Sequence, residues 1–215
     1  HSPMRHMLVM NPKGGGGKST IATNLASGYA TRGRQVALAD FDPQRSSMDW
    51  VELRPADAPP ITGIPAYEDG LRAVPRNADV VIMDAPARSH GREITELLRR
   101  AETVLVPVLP STIDMRAASS FIAELLEVGK VARQQAKIAV VANRIKENTL
   151  SFDELDAYLR KLGIPYVATL RDAQNYVRAY GRGLGVFELP HYLAWQDWEH
   201  WLPLVEWLES PASKP

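Results

Sequence analysis

The residues best suited to chemistry stand together near the amino end: Gly14-Gly15-Gly16-Gly17-Lys18-Ser19-Thr20. Glycines let backbone N–H groups turn inward and approach anionic oxygens closely. A lysine at that point can reach the β- and γ-phosphates of a nucleotide, and the next hydroxyl can ligate Mg²⁺. Two further acidic points follow. Asp40 and Asp42 lie in Asp40-Phe41-Asp42-Pro43-Gln44, and Asp84 ends the apolar run Val80-Val81-Ile82-Met83. An acid at the end of such a run can hold Mg²⁺, often through water.

These groups need elements to position them. Met7-Leu8-Val9-Met10 precedes the glycines and Ile21–Thr31 follows them, so strand, glycine loop and helix succeed one another as a phosphate-binding P-loop requires. The new helix directs its positive end at the same anion. Strands are expected over 7–11, 35–39, 80–83, 103–108, 137–142 and 165–169. Helices are expected over 18–32, 45–52, 91–100, 115–128, 151–162, 172–180 and 192–209. The strand runs are mostly continuous rather than alternating, as in a parallel sheet buried on both faces. The alternation predicts an α/β P-loop NTPase, a doubly wound, mostly parallel sheet with helices on both faces and the ligand at the carboxyl ends of the strands. Ala56–Pro60 reads as a surface loop, and the helix from 115 is expected to be capped by Asp114 or Thr112.

Composition narrows the chemistry. The 215 residues suit a single domain, expected over 4–209, with His1-Ser2-Pro3 as a tag remnant and 210–215 as a flexible tail. No cysteine is present, which excludes disulfides, thiolate metal sites and cysteine-bound iron–sulfur clusters and fits a reducing cytoplasm. No apolar run approaches the ~20 residues of a membrane-spanning helix. Net charge is zero but uneven: residues 130–182 carry ten Lys and Arg against five acids, whereas 188–209 carry five acids and no Lys or Arg. Such asymmetry can make a basic face on a neutral protein.

The glycine loop departs from the usual pattern, since Pro12 stands where its first glycine belongs and Lys13 adds a second lysine. Lys13-Gly14-Gly15-Gly16-Gly17-Lys18-Ser19-Thr20 resembles the deviant Walker A motif of the ParA/MinD ATPases. That resemblance implies Mg·ATP held by Gly14 to Thr20 and an ATP-bound homodimer in which Lys13 reaches the partner's nucleotide. A cation delivered in trans can neutralise charge on a transferring phosphoryl group. Asp40-Phe41-Asp42-Pro43-Gln44 resembles the family's Asp-x-Asp-Pro-Gln segment, which implies that Asp42 orients the hydrolytic water and Asp40 lies near the metal. Ala85-Pro86-Ala87 matches the family's switch region, and Arg88-Ser89-His90-Gly91 departs from its usual glycine-containing turn. Val140-Val141-Ala142-Asn143-Arg144 resembles the segment whose Asn amide reads adenine; an end-of-strand Asn turn is the alternative.

Relatives differ, and the sequence separates them. Iron–sulfur members need cysteines. Membrane-binding members end in a basic amphipathic helix, whereas the polar face of 192–209 is Gln196, Asp197, Glu199, His200 and Glu206, which anionic lipid would repel. Three of its four tryptophans, Trp195, Trp198 and Trp201, can pack on the domain or form a partner surface. The tail lacks the tyrosines of the family's kinases. What remains is a small ParA-like positioning ATPase, implying nucleoid association, non-specific double-stranded DNA and an adaptor on a large cargo. Arg144, Lys146, Arg160, Lys161, Arg178 and Arg182 are the expected phosphate contacts. The wording of 84–88 and 110–114 resembles members that space carboxysomes. A small-molecule kinase or synthetase using the same loop is the rival reading, and no acceptor-binding constellation supports it.

Overall fold

The computed structural model describes residues 3–12, 17–87, 91–131 and 135–215. Lys13, Gly14, Gly15 and Gly16 therefore lie outside the described residues, as do Arg88, Ser89, His90 and Arg133. Seven strands form one sheet: β1 (Arg5–Val9), β2 (Val36–Asp40), β3 (Ile61–Ile64), β4 (Val80–Asp84), β5 (Thr103–Val108), β6 (Lys137–Ile145) and β7 (Tyr166–Arg171). Their spatial order is β3-β2-β4-β1-β5-β6-β7, and the pairings are all parallel. Among the described residues six helices connect successive strands, α1 (Lys18–Thr31), α2 (Ser46–Leu53), α3 (Ala66–Asp69), α4 (Arg92–Arg100), α5 (Thr112–Val131) and α6 (Leu150–Arg160), and α7 (Gln174–Gly181) and α8 (His191–Glu209) follow β7.

Both faces of the sheet are covered, which explains the unbroken apolar runs. On β1, Leu8 belongs to the core built by Ile94, Phe121, Leu125 and Leu155 of α4, α5 and α6. Its neighbours Met7 and Val9 join the opposite core with Ile21 and Leu25 of α1, Trp50 of α2 and Trp201 of α8. Trp50 and Trp201 have no exposed surface. Each removes roughly 200 Å² from water, worth at most about 5 kcal/mol.

Four features differ from the sequence expectation, one of them the single-turn helix α3, which has no counterpart in it. The edge strand β3 escaped notice because it is four residues long, follows Pro59-Pro60 and contains Gly63. The N-cap of α5 is Ser111, whose Oγ accepts the Asp114 N–H at 3.1 Å and whose hydroxyl also meets the Asp114 carboxylate; neither Asp114 nor Thr112 caps it. The segment expected as a flexible tail forms a 3-10 turn at Pro211–Ser213. Ser213 is buried there: its carbonyl accepts from Thr103 Oγ1 at 2.6 Å and its hydroxyl from Arg5 at 3.3 Å.

Register sets the height of the site. Parallel pairing aligns Val9 with Asp84 and Asp40 with Asp84. The residue that ends β1 and the carboxylates that end β2 and β4 therefore stand at one level on the carboxyl edge. Strand order reverses at β1, flanked by β4 and β5, so the cleft expected in a doubly wound sheet opens above it.

Candidate nucleotide site

A cavity of about 540 Å³ opens there, within the range of small-ligand sites. Gly17, Lys18, Ser19 and Thr20 form one wall, Asp42 and Ser46 a second, and Asn143 and Arg144 a third. The β7–α7 connection closes it with Arg171, Asp172, Tyr176 and Tyr180. Gly17 is the N-cap of α1 and has φ +86°, a left-handed conformation that glycine adopts without strain. A Cβ there would collide with the Asn143 amide nitrogen. With no side chain on its N-cap, α1 leaves first-turn N–H groups available to an anion.

Asn143 and Arg144 reach the cavity through a bulge. Ala142 pairs with Thr169 and Ile145 with Arg171, so two residues of β6 oppose one of β7. Arg144 has φ +52°, a strained value for a residue with a side chain. Bulges of this kind re-aim side chains at sites. Asn143 is buried, Arg144 is exposed, and both line the cavity.

Behind the wall lies a compact polar cluster. The Lys18 ammonium stands 2.9 Å from Asp84 Oδ1 and 3.0 Å from Asp42 Oδ2, with all three side chains at most 7% exposed. Ser19 donates to Asp84 Oδ2 at 2.8 Å, and Ser47 donates to the same oxygen at 2.7 Å. Burial alone would lower the Lys18 pKa, but Asp84, then Asp42, outweigh it and hold the ammonium above its ordinary value. Asp40 is fully buried behind Asp42. Its two oxygens accept the N–H groups of Asp42 (2.9 Å) and Met48 (3.0 Å), pinning the Asp42 loop and the start of α2. Burial and, less strongly, Asp84 push its pKa up to about 6 against those hydrogen bonds. Asp40 is thus close to the cluster, as expected, but its carboxylate is committed to backbone. Asp42 Oδ1 accepts from Gln44 N at 3.0 Å, leaving Oδ2 on Lys18.

The donor set fits Mg²⁺. The hydroxyl of Ser19 beside the Asp84 carboxylate is a hard oxygen pair, and Mg²⁺ commonly takes one or two such protein ligands plus phosphate oxygens and water. Among the described residues no three His, Cys, Asp or Glu gather as a group that could hold a metal ion.

The proposed DNA contacts are not all brought together. Arg144 and Lys146 stand at the carboxyl end of β6, with Arg178 and Arg182 on and after α7, all exposed. Arg160 and Lys161 end α6 and lead into the amino end of β7, the opposite edge of the sheet. Arg160 is also engaged, 3.0 Å from Asp156 and over the Tyr166 ring at 5.6 Å.

Sequence reasoning missed the supports of the cavity. Arg171 makes two hydrogen bonds to Asp197 of α8, at 2.7 and 3.2 Å, and Asn175 donates to the same carboxylate at 2.9 Å. Asp197 is fully buried, so it does not belong to the solvated acidic face of α8. Trp201 Nε1 donates to the Tyr176 hydroxyl at 2.8 Å. The four tryptophans of α8 divide: Trp201 is buried, Trp198 and Trp207 are half-buried, with Trp198 donating to Val186 O at 2.6 Å, and Trp195 is 44% exposed. The signal available was the single acid Asp197 one turn before Trp201 on an otherwise core-facing stripe. Among the described residues no helix is long and apolar enough to cross a membrane.

Residues 7–186 match the family described as the CobQ/CobB/MinD/ParA nucleotide binding domain. The chain is 32% identical over 190 residues to maintenance of carboxysome distribution protein A from Halothiobacillus neapolitanus, covering 85% of this chain and 87% of that protein. It is 30% identical over 192 residues to the protein of the same name from Gloeobacter kilaueensis, covering 86% and 84%. The fold superposes on a Cyanothece McdA variant in complex with ATP with a TM-score of 0.76 and 17% identity, covering 100% of this chain and 99% of that one. With a family match over most of its length and a P-loop cavity at the switch point of its sheet, this chain belongs to the CobQ/CobB/MinD/ParA family and is an ATPase of the ParA/MinD type.

Proposed function

We propose that this ATPase positions a large intracellular cargo of the carboxysome kind, by cycling on and off DNA. The observation that carries the reading is its 32% identity to a carboxysome distribution protein over 85% of its own length. ATP joins two copies, the dimer holds DNA without sequence preference, and an adaptor on the cargo stimulates hydrolysis and release. The site residues divide the work. Phosphates entering beside Gly14 to Thr20 draw the Lys18 ammonium from Asp42 and Asp84. Asp42 Oδ2, relieved of its ion pair, then accepts a hydrogen bond from the attacking water. Ser19 and Asp84 hold Mg²⁺, which supplies neutralisation of the phosphate charge when bound. The Asn143 amide faces the base, and Lys13 completes the partner's site.

DNA contact falls to Arg144, Lys146, Arg178 and Arg182, which share the carboxyl edge, while Arg160 and Lys161 stand at the far edge and serve the solvated surface. Phosphate contacts give affinity that falls steeply with salt. DNA retention measured with ATP, with ADP and without nucleotide at rising salt tests the scheme. Binding with ATP alone, lost at high salt, is expected; absent or nucleotide-independent binding would overturn it. A Lys13→Ala variant that hydrolyses ATP at the parent rate would remove the trans-lysine role.

A further inference from the structure

Asp84 receives three donors, and they do not have the same future. Lys18 must turn toward phosphate when nucleotide enters, and the Ser19 hydroxyl must turn toward the metal. Ser47 has no such second duty. It is fully buried, and its Oγ lies 2.7 Å from Asp84 Oδ2. Its neighbour Ser46 lines the cavity instead, and its carbonyl accepts from the Tyr180 hydroxyl at 2.7 Å. Once Lys18 and Ser19 have turned away, Ser47 is the one donor to the Asp84 side chain left among the described residues.

Ser47 is also held rigidly. The N–H of Met48 donates to Asp40 Oδ2 at 3.0 Å, and Trp50 is fully buried with its Nε1 on Leu184 O at 3.1 Å. The hydroxyl therefore rides on a short helix fixed at both its start and its middle. That helix directly follows the Asp42 loop, so Ser47 ties the carboxylate of β4 to the segment that carries the water-orienting acid.

We propose that Ser47 is a positioning residue that fixes the Asp84 carboxylate in its Mg²⁺-holding orientation after Lys18 and Ser19 leave it. The inference rests on the metal role given to Asp84 above. Removing the hydrogen-bond partner of a carboxylate that ligates a metal typically costs 10–100-fold in metal affinity.

The test measures the affinity of a fluorescently labelled ATP for the full chain in EDTA and across a Mg²⁺ titration. Ser47→Ala and Ser47→Gly both delete the hydroxyl; Ser47→Thr retains it. Ser47→Ala and Ser47→Gly are expected to need about tenfold more Mg²⁺ for half-maximal tightening, with affinity in EDTA within about twofold of the parent. Ser47→Thr is expected to return the Mg²⁺ requirement toward the parent value. Mg²⁺ curves for Ala and Gly that overlay the parent's would overturn the proposal. Equal losses of affinity with and without Mg²⁺ would likewise overturn it, since a hydroxyl that only supports the fold gives that result. A parent protein whose affinity ignores Mg²⁺ would remove the metal role of Asp84 itself, a failure visible before any variant is made.

Discussion

Replacing Lys18 by Met tests the electrostatics of the site directly. The ammonium is 5% exposed and sits within 3.0 Å of two carboxylates that are 7% and 0% exposed. Methionine keeps the aliphatic stem and removes the charge. Asp42 and Asp84 are then left buried and close together with no cation between them. Removing one partner of a buried ion pair costs about 3–5 kcal/mol. Asp84 keeps the Ser19 and Ser47 hydroxyls, which favours the lower end, about 3 kcal/mol. For a chain of this size, each kcal/mol corresponds to about 2–4 °C in Tm, so a fall of roughly 6–12 °C is expected. The assay is thermal and urea unfolding without nucleotide or Mg²⁺, so that catalysis plays no part. Adding Asp42→Asn to Lys18→Met removes one of the two orphaned charges and is expected to recover at least about 1 kcal/mol. A Lys18→Met protein as stable as the parent, or more stable, would refute the reasoning. It would mean that the three charged groups are strained together rather than mutually supported.

Two further outcomes follow from the same structure. Asp197→Ala strips Arg171 and Asn175 of their shared acceptor and is expected to cost about 2–4 kcal/mol in urea unfolding; a change below about 0.5 kcal/mol would show that α8 does not depend on this pair. Burial, with help from Arg100 and against Glu102, holds the His6 pKa below 6.5, so its contribution to stability is present above pH 6.5 and lost as pH falls through the folded value. Stability measured from pH 7.5 to 5 is expected to decline less in His6→Leu than in the parent, and parallel curves would contradict the assignment.

Much of the site was legible because its residues carry their chemistry locally. In the sequence the glycine run, Lys18 and Ser19 stand between a strand and a helix, Asp40 and Asp84 end their strands, and Asp42 follows two residues after β2. Parallel register then brings these ends to one level without further instruction. What escaped depends on contacts across the chain. Ser47 is an ordinary serine in a Ser-Ser pair until β4 supplies its acceptor. Asp197 looks like one more solvated acid until Arg171 meets it, 26 residues away in sequence. The basic residues form one cluster in sequence, but the α6 crossover carries Arg160 and Lys161 to the other edge of the sheet. β3 is too short, and too interrupted by Gly63, to show a period. Asp40 stands beside the Lys18, Asp42 and Asp84 cluster, and its commitment to two backbone N–H groups is a property of the fold.

The two hydrogen-bonded ties from α8 to the cavity have a consequence for the order of events on the ribosome. Asp197 and Trp201 come later in the chain than every residue lining the cavity, yet they hold Arg171 and Tyr176 in its wall. Domains fold as units while the amino-terminal part emerges first. The phosphate loop can therefore meet its strand early, but the wall made by β7 and α7 stays unbraced until α8 has been synthesised and docked. A nascent chain that has not yet made α8 is therefore expected to hold nucleotide more weakly than one in which Asp197 and Trp201 have docked.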